Sequence, residues 1–280
     1  MDIWILSRIG LQYERDELKK RGISFNEMFW KEMSAPIQHY PDVARWMLDP
    51  GHFIFQLSFM EDLERQGCRV INSPSAVLKC DKASMFLLWQ RYLKDDIKMP
   101  ASIITANREA MELFIEVHES VVVKPLDGQG GEGIMFVKSI DDHPMMHKWL
   151  DTGKFIMLQE FIPNKNFEIR NILVGDDEII QYARYNEDDA HNYAQGGIAL
   201  NLGYPHIDVD GPTLAGMRET TRRVASITGL DMVAVDIMPD TKGNSWLIEW
   251  NPFFTYSATI PLGLNIASKI VDFLLKQKQR

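Results

Sequence analysis

The chain has few of the features that define several common protein classes. Its 280 residues include two cysteines, Cys68 and Cys80, which are too few for a disulfide framework, and no Cys or His spacing matches a zinc site. No apolar stretch approaches the length of a membrane span. We therefore expect a reduced, cytoplasmic protein that does not interact with a membrane.

Positive charge is also scarce. The 30 Lys and Arg residues are outnumbered by 39 Asp and Glu residues, which gives a formal net charge of −9. No basic field covers the whole chain to neutralise phosphates, so we expect no general binding to nucleic acid. The content of 45% hydrophobic and 25% charged residues is ordinary for a globular protein.

Three common nucleotide-binding motifs are missing or misplaced. Residues 128–133 contain G-x-G-x-x-G, but a short apolar run with strand propensity follows, which predicts a β-hairpin rather than a dinucleotide-binding turn. The only Gly-Lys pair, at residues 153–154, precedes Phe155, so no Walker A loop is present. Lys124 comes before the glycines, which is the reverse of the order in protein kinases.

The glycine-dense segment nevertheless predicts a phosphate site. The β-branched residues 121–123 lead into Lys124 and Pro125, and the glycines follow directly. Glycines allow successive backbone N–H groups to turn toward one anion, and a lysine at the strand end adds a positive charge.

A second candidate site lies near the C-terminus, where a strand–turn–strand pattern carries Asp236, Glu249 and Asn251. Residues i and i+2 of a strand share a face, so Glu249 and Asn251 project together, and Asp236 can join them across the hairpin. Two carboxylates and an amide oxygen suit Mg²⁺ or Mn²⁺. An acid-x-Asn pair is also common on solvated surfaces, but Glu249 lies within an apolar run, where an unpaired charge is costly.

Strands and helices alternate along the chain. Residues 2–6 predict a strand and residues 13–21 a helix, and residues 52–56, 57–66 and 69–72 predict a strand–helix–strand unit of a parallel sheet. Helices are predicted at residues 81–93, 108–116 and 213–228. Residues 155–161, 167–174 and 179–185 predict three strands of one antiparallel sheet, with a turn at Gly175.

Motifs in a characteristic order give the chain a family resemblance. They are Asn72-Ser73-Pro74, Asp81-Lys82, Met99-Pro100-Ala101-Ser102, Val123-Lys124-Pro125 with its glycine loop, Gln159-Glu160-Phe161-Ile162, Glu168-Ile169-Arg170, Arg184, Gly196-Gly197, Asp236 and Glu249-Trp250-Asn251. Each motif is weak by itself, but the ordered set resembles ATP-grasp carboxylate–amine ligases, closest to glutathione synthetases and ribosomal-protein glutamate ligases.

The resemblance implies an α/β fold of the α+β ATP-grasp type. An N-terminal parallel α/β domain at residues 1–80 would help to receive the substrate. A central subdomain with a glycine-rich lid at residues 81–155 and a C-terminal subdomain with the Mg²⁺ site at residues 156–280 would clamp ATP between them.

The same resemblance implies roles for individual residues. Lys82 and Lys124 would contact the ATP phosphates, beneath a lid that contains Gly128, Gln129, Gly130, Gly131 and Gly133. A hinge of Glu160, Phe161 and Ile162 would read adenine, and Glu168, where relatives usually carry Asp, would belong to the nucleotide site. Asp236, Glu249 and Asn251 would hold Mg²⁺, and Arg170 and Arg184 would face an acylphosphate.

The implied activity joins a carboxylate to an amine through an acylphosphate, releasing ADP and phosphate. The substrates would be small molecules, with an amino acid such as glutamate as one of them, or a peptide or carrier protein, and a homo-oligomer is expected. An ATP-grasp kinase for small molecules would share the ATP and Mg²⁺ residues. A non-catalytic ATP-binding regulatory protein is a third alternative, against which the intact set of charged residues counts.

Overall fold

A computed structural model describes residues 1–7, 11–49, 52–126, 128, 131–176, 178–186 and 197–277. Three β-sheets organise this part of the chain. None of its helices is long and apolar enough to cross a membrane.

The N-terminal sheet is parallel, with strand order β2-β1-β3-β4. Its strands are β1 (Ile3–Leu6), β2 (Asn26–Met28), β3 (Val43–Trp46) and β4 (Arg69–Ile71), and helices α1 (Gln12–Lys20) and α2 (Phe53–Arg65) lie between them in sequence. Because the chain moves outward from β1 to β2 on one side and from β3 to β4 on the other, a topological switch point lies between β1 and β3.

The strand predicted at residues 52–56 is wrong, because α2 begins at Phe53. The apolar residues at its start have strand propensity, yet Phe53, Ile54 and Phe55 each remain at least 40% exposed. Farther along α2, Phe59 and Leu63 are spaced for one helical face and are buried against the sheet. Packing of that face on the sheet therefore stabilises the helical conformation of this region. The strand that pairs with β4 is β3.

The central sheet is antiparallel, with strand order β5-β8-β6-β7. It contains β5 (Ser102–Thr105), β6 (Val121–Pro125), β7 (Met135–Val137) and β8 (Ile156–Glu160). Helices α3 (Pro74–Val77) and α4 (Lys82–Tyr92) precede it, and α5 (Arg108–His118) and α6 (Pro144–Asp151) pack on one of its faces.

The prediction that residues 155–161 share a sheet with residues 167–174 and 179–185 is wrong. β8 pairs with β5 and β6, and its apolar residues Ile156 and Leu158 are buried with the residues of α5 and α6. Local strand propensity identified the strand but not its sheet, since pairing is decided by contacts distant in sequence.

The C-terminal sheet is antiparallel, with strand order β11-β10-β9-β12-β13. It contains β9 (Phe167–Val174), β10 (Ile180–Tyr185), β11 (Ile198–Leu200), β12 (Met232–Pro239) and β13 (Ser245–Asn251). One face packs on α7 (Gly211–Thr228), and part of the other packs on α8 (Ile266–Lys276) and the N-terminal sheet. The turn predicted at Gly175 joins β9 to β10, as expected.

The G-x-G-x-x-G segment connects β6 to β7, which confirms the predicted hairpin. Gly133 has a φ of +73°, and a Cβ atom there would lie 2.8 Å from Cγ of Pro125. Glycine is therefore required at this position both for its backbone conformation and for space.

Replacement of Gly133 by alanine is expected to destabilise the protein more than replacement of Gly243. Gly243 has a similar φ of +84°, but a Cβ atom there would meet nothing within 4 Å. Gly243→Ala should therefore lower the free energy of unfolding by roughly 1 kcal/mol, the cost of a left-handed alanine. Urea unfolding of both variants gives the steric cost as the difference. Equal losses would mean that Pro125 moves aside freely.

Candidate active site

A cleft lies between the central and C-terminal sheets. Its lining combines apolar and charged side chains: Lys82, Met85, Phe86, Met99, Lys124, Met157, Gln159, Ile248 and Glu249. The cleft therefore brings together both predicted phosphate-binding lysines and a predicted metal ligand, which are far apart in sequence.

Lys124 is held in place across the central sheet. Its Nζ donates a hydrogen bond to Oε1 of Gln159 at 2.6 Å, and Nε2 of Gln159 donates to Oγ of Ser102 at 2.9 Å. Burial lowers the pKa of Lys124, while the carboxylate of Glu249 opposes that shift. Sequence reasoning gave Gln159 no role. Its position on the same sheet face as Lys124 is visible only once β6 and β8 are paired.

Lys82 connects helix α4 to the glycine loop. Asp81 caps α4 by accepting hydrogen bonds from the N–H groups of Ala83 and Ser84, and Lys82 is the first helical residue. The Nζ atom of Lys82 donates to the carbonyl oxygen of Gly128 at 2.6 Å. Two residues of the predicted lid, Gln129 and Gly130, lie outside the described residues.

A row of charged side chains crosses one face of the C-terminal sheet. Arg184 is opposite Glu168, Arg170 is opposite Asp236, and Asp236 is opposite Glu249 in the strand registers. Opposite residues in antiparallel strands point to the same face, so the row extends across β10, β9, β12 and β13. The row could not be recognised from the sequence, because its members come from four separate strands and meet only once the strand order is known.

Asp236 is the centre of this row and has no exposed surface. Arg170 donates to both of its carboxylate oxygens, from Nε at 2.8 Å and from Nη2 at 2.7 Å, and Nη2 of Arg184 donates to Oδ2 at 2.8 Å. Burial opposes ionisation, but the two guanidinium groups lower the pKa of Asp236. The carboxylate thus fixes both arginines in orientation.

Glu168 contacts Arg184 at the other end of the row. Burial raises the pKa of Glu168 to about 7, although the charge of Arg184 opposes the shift. The negative charge of Asp236 also raises it.

The raised pKa of Glu168 predicts a pH dependence of stability. Between its ordinary pKa of 4.5 and about 7, the folded protein keeps a proton on Glu168 that the unfolded chain has lost. Stability should therefore fall as pH rises through this window, by at most about 1.4 kcal/mol per pH unit from this group. Urea unfolding from pH 4.5 to 7.5 should show a shallower decline for Glu168→Gln. Identical slopes for the two proteins would contradict the raised pKa.

The three predicted metal ligands lie on the same face of β12 and β13, since Asp236 is opposite Glu249 and Ala234 is opposite Asn251. Nδ2 of Asn251 donates to Oε1 of Glu249 at 3.0 Å, which leaves the amide oxygen and the second carboxylate oxygen for other contacts. These hard oxygen donors fit Mg²⁺, which commonly completes its octahedron with waters and phosphate oxygens. This set has only two carboxylates, and its third member is an amide. Among the described residues, no three His, Cys, Asp or Glu side chains form a group that could hold a metal.

The predicted hinge begins at Glu160, the last residue of β8. The N–H of Glu160 donates to the carbonyl of Ala101 at 2.8 Å, and that of Phe161 donates to the carbonyl of Ser120 at 3.1 Å. The N–H of Ile162 makes no hydrogen bond to any described residue. It is thus the hinge donor available to a ligand.

Two facing α+β units around such a cleft define the ATP-grasp class of proteins, and solved structures agree. The ligase PsnB bound to a minimal precursor superposes with a TM-score of 0.75, at 16% identity and with 99% of this chain and 98% of that one covered. A RimK domain protein from Sphaerobacter thermophilus superposes with a TM-score of 0.73 at 17% identity, and the match covers 98% of this chain and 100% of that one. These likenesses confirm the predicted fold.

In sequence, the chain is similar to glutathione synthetases. The model of the prokaryotic glutathione synthetase ATP-grasp domain matches residues 86–202. Glutathione synthetase of Yersinia pestis is 28% identical over 223 residues, which are 76% of this chain and 66% of that protein. Glutathione synthetase of Vibrio parahaemolyticus is 31% identical over 135 residues, which are 46% of this chain and 40% of that protein. The chain thus spans less than two thirds of the length of each relative, and its similarity to these proteins agrees with the resemblance that its motifs carry.

Proposed function

We propose that this protein is an ATP-dependent ligase that joins a carboxylate to an amine. The observation that carries the proposal is the convergence of Lys82, Lys124 and Glu249 on one cleft between two sheets. Two ammonium groups and a carboxylate that could hold Mg²⁺ suit the phosphates of a nucleoside triphosphate. The ligases of the same superfamily among the similar proteins support the same reaction class.

The nucleotide would enter with its phosphates at the lysines. Lys82 and Lys124 would exchange their present acceptors, the Gly128 carbonyl and the Gln159 amide, for phosphate oxygens. The apolar side chains of Met85, Met157 and Ile248 suit the purine ring. The Ile162 N–H would donate to it, and Glu168 would belong to the same nucleotide site.

Asp236, Glu249 and Asn251 would hold Mg²⁺ or Mn²⁺. Such an ion would neutralise charge that develops on the phosphates during transfer. Asp236 would contribute Oδ1, which accepts a single hydrogen bond, because Oδ2 accepts two. Glu249 and Asn251 would contribute the oxygens that their mutual hydrogen bond leaves available.

The reaction would proceed in two steps, for which no protein nucleophile is needed. The substrate carboxylate attacks the terminal phosphorus of ATP and releases ADP, and the amine then attacks the acylphosphate carbon, loses a proton and expels phosphate. Arg170 and Arg184 would stabilise the negative charge in both steps. Arg184 is suited to this because its buried Nε makes no hydrogen bond and can donate to an anion.

We infer that the chain is divided into three parts, at residues 1–80, 81–155 and 156–280, with the first part on the substrate side. The glycine segment 128–133 would act as the lid that keeps water from the acylphosphate. The substrates would be small molecules or a peptide, and a homo-oligomer is expected. A cytoplasmic location is expected, in which Cys68 and Cys80 would stay reduced.

Phosphate release in the presence of ATP and Mg²⁺ tests the proposal across a panel of carboxylates paired with amino acids and other amines. A ligase should release ADP and phosphate together with a product one water lighter than the two substrates combined, as measured by mass spectrometry. A phosphorylated product without free phosphate would indicate a kinase. Neither product across the panel, with ATP still bound, would favour a regulatory protein.

A further inference from the structure

The motif Asn72-Ser73-Pro74 has no role in the chemistry proposed above. Ser73 and Pro74 begin helix α3, where Oγ of Ser73 accepts a hydrogen bond from the N–H of Ala76 at 3.2 Å. Asn72 follows β4 directly and has no exposed surface. The start of a helix explains the serine and the proline, but it does not explain a fully buried asparagine.

The side chain of Asn72 reaches the C-terminal sheet. Its Oδ1 accepts a hydrogen bond from the N–H of Met232 at 2.8 Å. Its Nδ2 donates to the carbonyl oxygen of Met232 at 2.8 Å and to that of Pro252 at 3.0 Å. The backbone carbonyl of Asn72 accepts from Nε1 of Trp46 at 2.7 Å. Both amide protons and the amide oxygen are therefore bonded to backbone groups at the ends of β12 and β13.

These contacts lie where the pairing of β12 with β13 stops. Asn251 is the last residue of β13 and is opposite Ala234. Pro252 follows, and because proline has no N–H group it cannot donate a hydrogen bond to β12. The Asn72 amide both accepts from and donates to the backbone of Met232, as the opposite residue of a paired strand would. It therefore continues the ladder beyond the proline.

An ion pair holds the same region a second time. Arg69 on β4 contacts Asp231, the residue before β12. The end of the N-terminal sheet is thus attached to the start of β12 at two points, and Asn72 also reaches the residue after β13. Strand ends that lack such partners open at little cost in free energy. The backbone beside Asn251 is instead held by a buried side chain from another sheet.

We propose that Asn72 is a positioning residue for the metal site. By holding the carbonyl of Pro252, it fixes the end of β13 and thereby the Asn251 amide oxygen that would contact the ion. The inference rests on the proposed function, in which Asn251 is a metal ligand. Asn72 acts through the backbone, because its own polar atoms are already bonded. Replacement of groups that orient metal ligands typically weakens metal binding by about 10- to 100-fold.

Electron paramagnetic resonance of Mn²⁺, added with ADP to the full-length protein, tests the inference in two variants. Asn72→Ala removes all three hydrogen bonds of the side chain. Asn72→Asp keeps the shape of the side chain and an acceptor for the Met232 N–H, but even when protonated it has one donor for two carbonyl oxygens. Each variant should bind Mn²⁺ about tenfold more weakly than wild type. Each should bind ADP without metal as wild type does.

Asn107→Ala is the matched control. Oδ1 of Asn107 accepts a hydrogen bond from the N–H of Ala110 at 2.9 Å and caps α5, which packs on the face of the central sheet away from the cleft. This variant should unfold at a lower urea concentration than wild type and should keep the wild-type affinity for Mn²⁺. If the control binds Mn²⁺ as weakly as the Asn72 variants do, loss of stability alone explains their defect and the inference is overturned.

A double variant tests whether Asn72 acts through Asn251. Asn251→Ala alone should bind Mn²⁺ about tenfold more weakly than wild type. Adding Asn72→Asp to it should change that affinity by no more than about twofold, because the amide that Asn72 positions is already absent. Additive losses would contradict the inference, and so would wild-type Mn²⁺ affinity in Asn72→Asp while Asn251→Ala is impaired. Wild-type affinity in Asn251→Ala would instead remove Asn251 from the metal site, and the inference with it.

Discussion

Glu249→Gln is expected to reduce Mg²⁺-dependent ATP turnover about a thousandfold, because a lost carboxylate ligand removes several kcal/mol of charge stabilisation. Glutamine has the same shape, and its amide oxygen can still accept the hydrogen bond from Asn251. The fold should therefore be kept. Steady-state phosphate release measures the activity, and electron paramagnetic resonance of Mn²⁺ added with ADP measures metal binding directly.

Glu219→Gln provides the control for this variant, since Glu219 is an exposed carboxylate on α7, with 66% of its side chain accessible. It should retain wild-type turnover and Mn²⁺ affinity. Glu249→Gln should bind Mn²⁺ more weakly and should keep the wild-type circular dichroism spectrum and melting temperature. Undiminished turnover in Glu249→Gln would remove Glu249 from the metal site.

The parts of the fold that follow from local signals could be predicted from the sequence. Helix α7 is ended by Gly229, whose φ of +77° is the left-handed conformation that a glycine C-cap adopts. The glycine hairpin and the β9–β10 turn were likewise marked by their glycines. Strand propensity at residues 52–56 failed because the burial of Phe59 and Leu63 on one face made that region helical. Placement of β8 failed because sheet partners are chosen by distant contacts.

The candidate site likewise has features that the sequence predicts and features that depend on the fold. Lysines, glycines and the Glu-x-Asn pair are recognisable in order along the chain. The link from Lys124 to Gln159, and the single row formed by Glu168, Arg170, Arg184 and Asp236, depend on strand registers that no local pattern encodes.

The row of charges makes Asp236→Ala the most destabilising substitution that we expect. Arg170 donates two hydrogen bonds to Asp236 and Arg184 donates one, so loss of Asp236 removes the buried carboxylate that both guanidinium groups contact. Breaking a buried ion pair from one side typically costs about 3–5 kcal/mol. Urea unfolding, followed by tryptophan fluorescence, should show a loss of that size relative to wild type.

The double variant Arg170→Met/Asp236→Leu distinguishes charge balance from simple loss of contacts. It removes one positive and one negative charge, and Arg184 remains paired with Glu168. Replacing both members of a buried pair by apolar residues is often close to neutral, so the double variant should be more stable than Asp236→Ala, although inactive. If the double variant is instead as unstable as the single one or more so, then hydrogen-bond geometry around Asp236, rather than net charge, holds these strands together. The arginines would in that case be structural residues first, and their proposed role toward the acylphosphate would need support from kinetics of Arg184 variants alone.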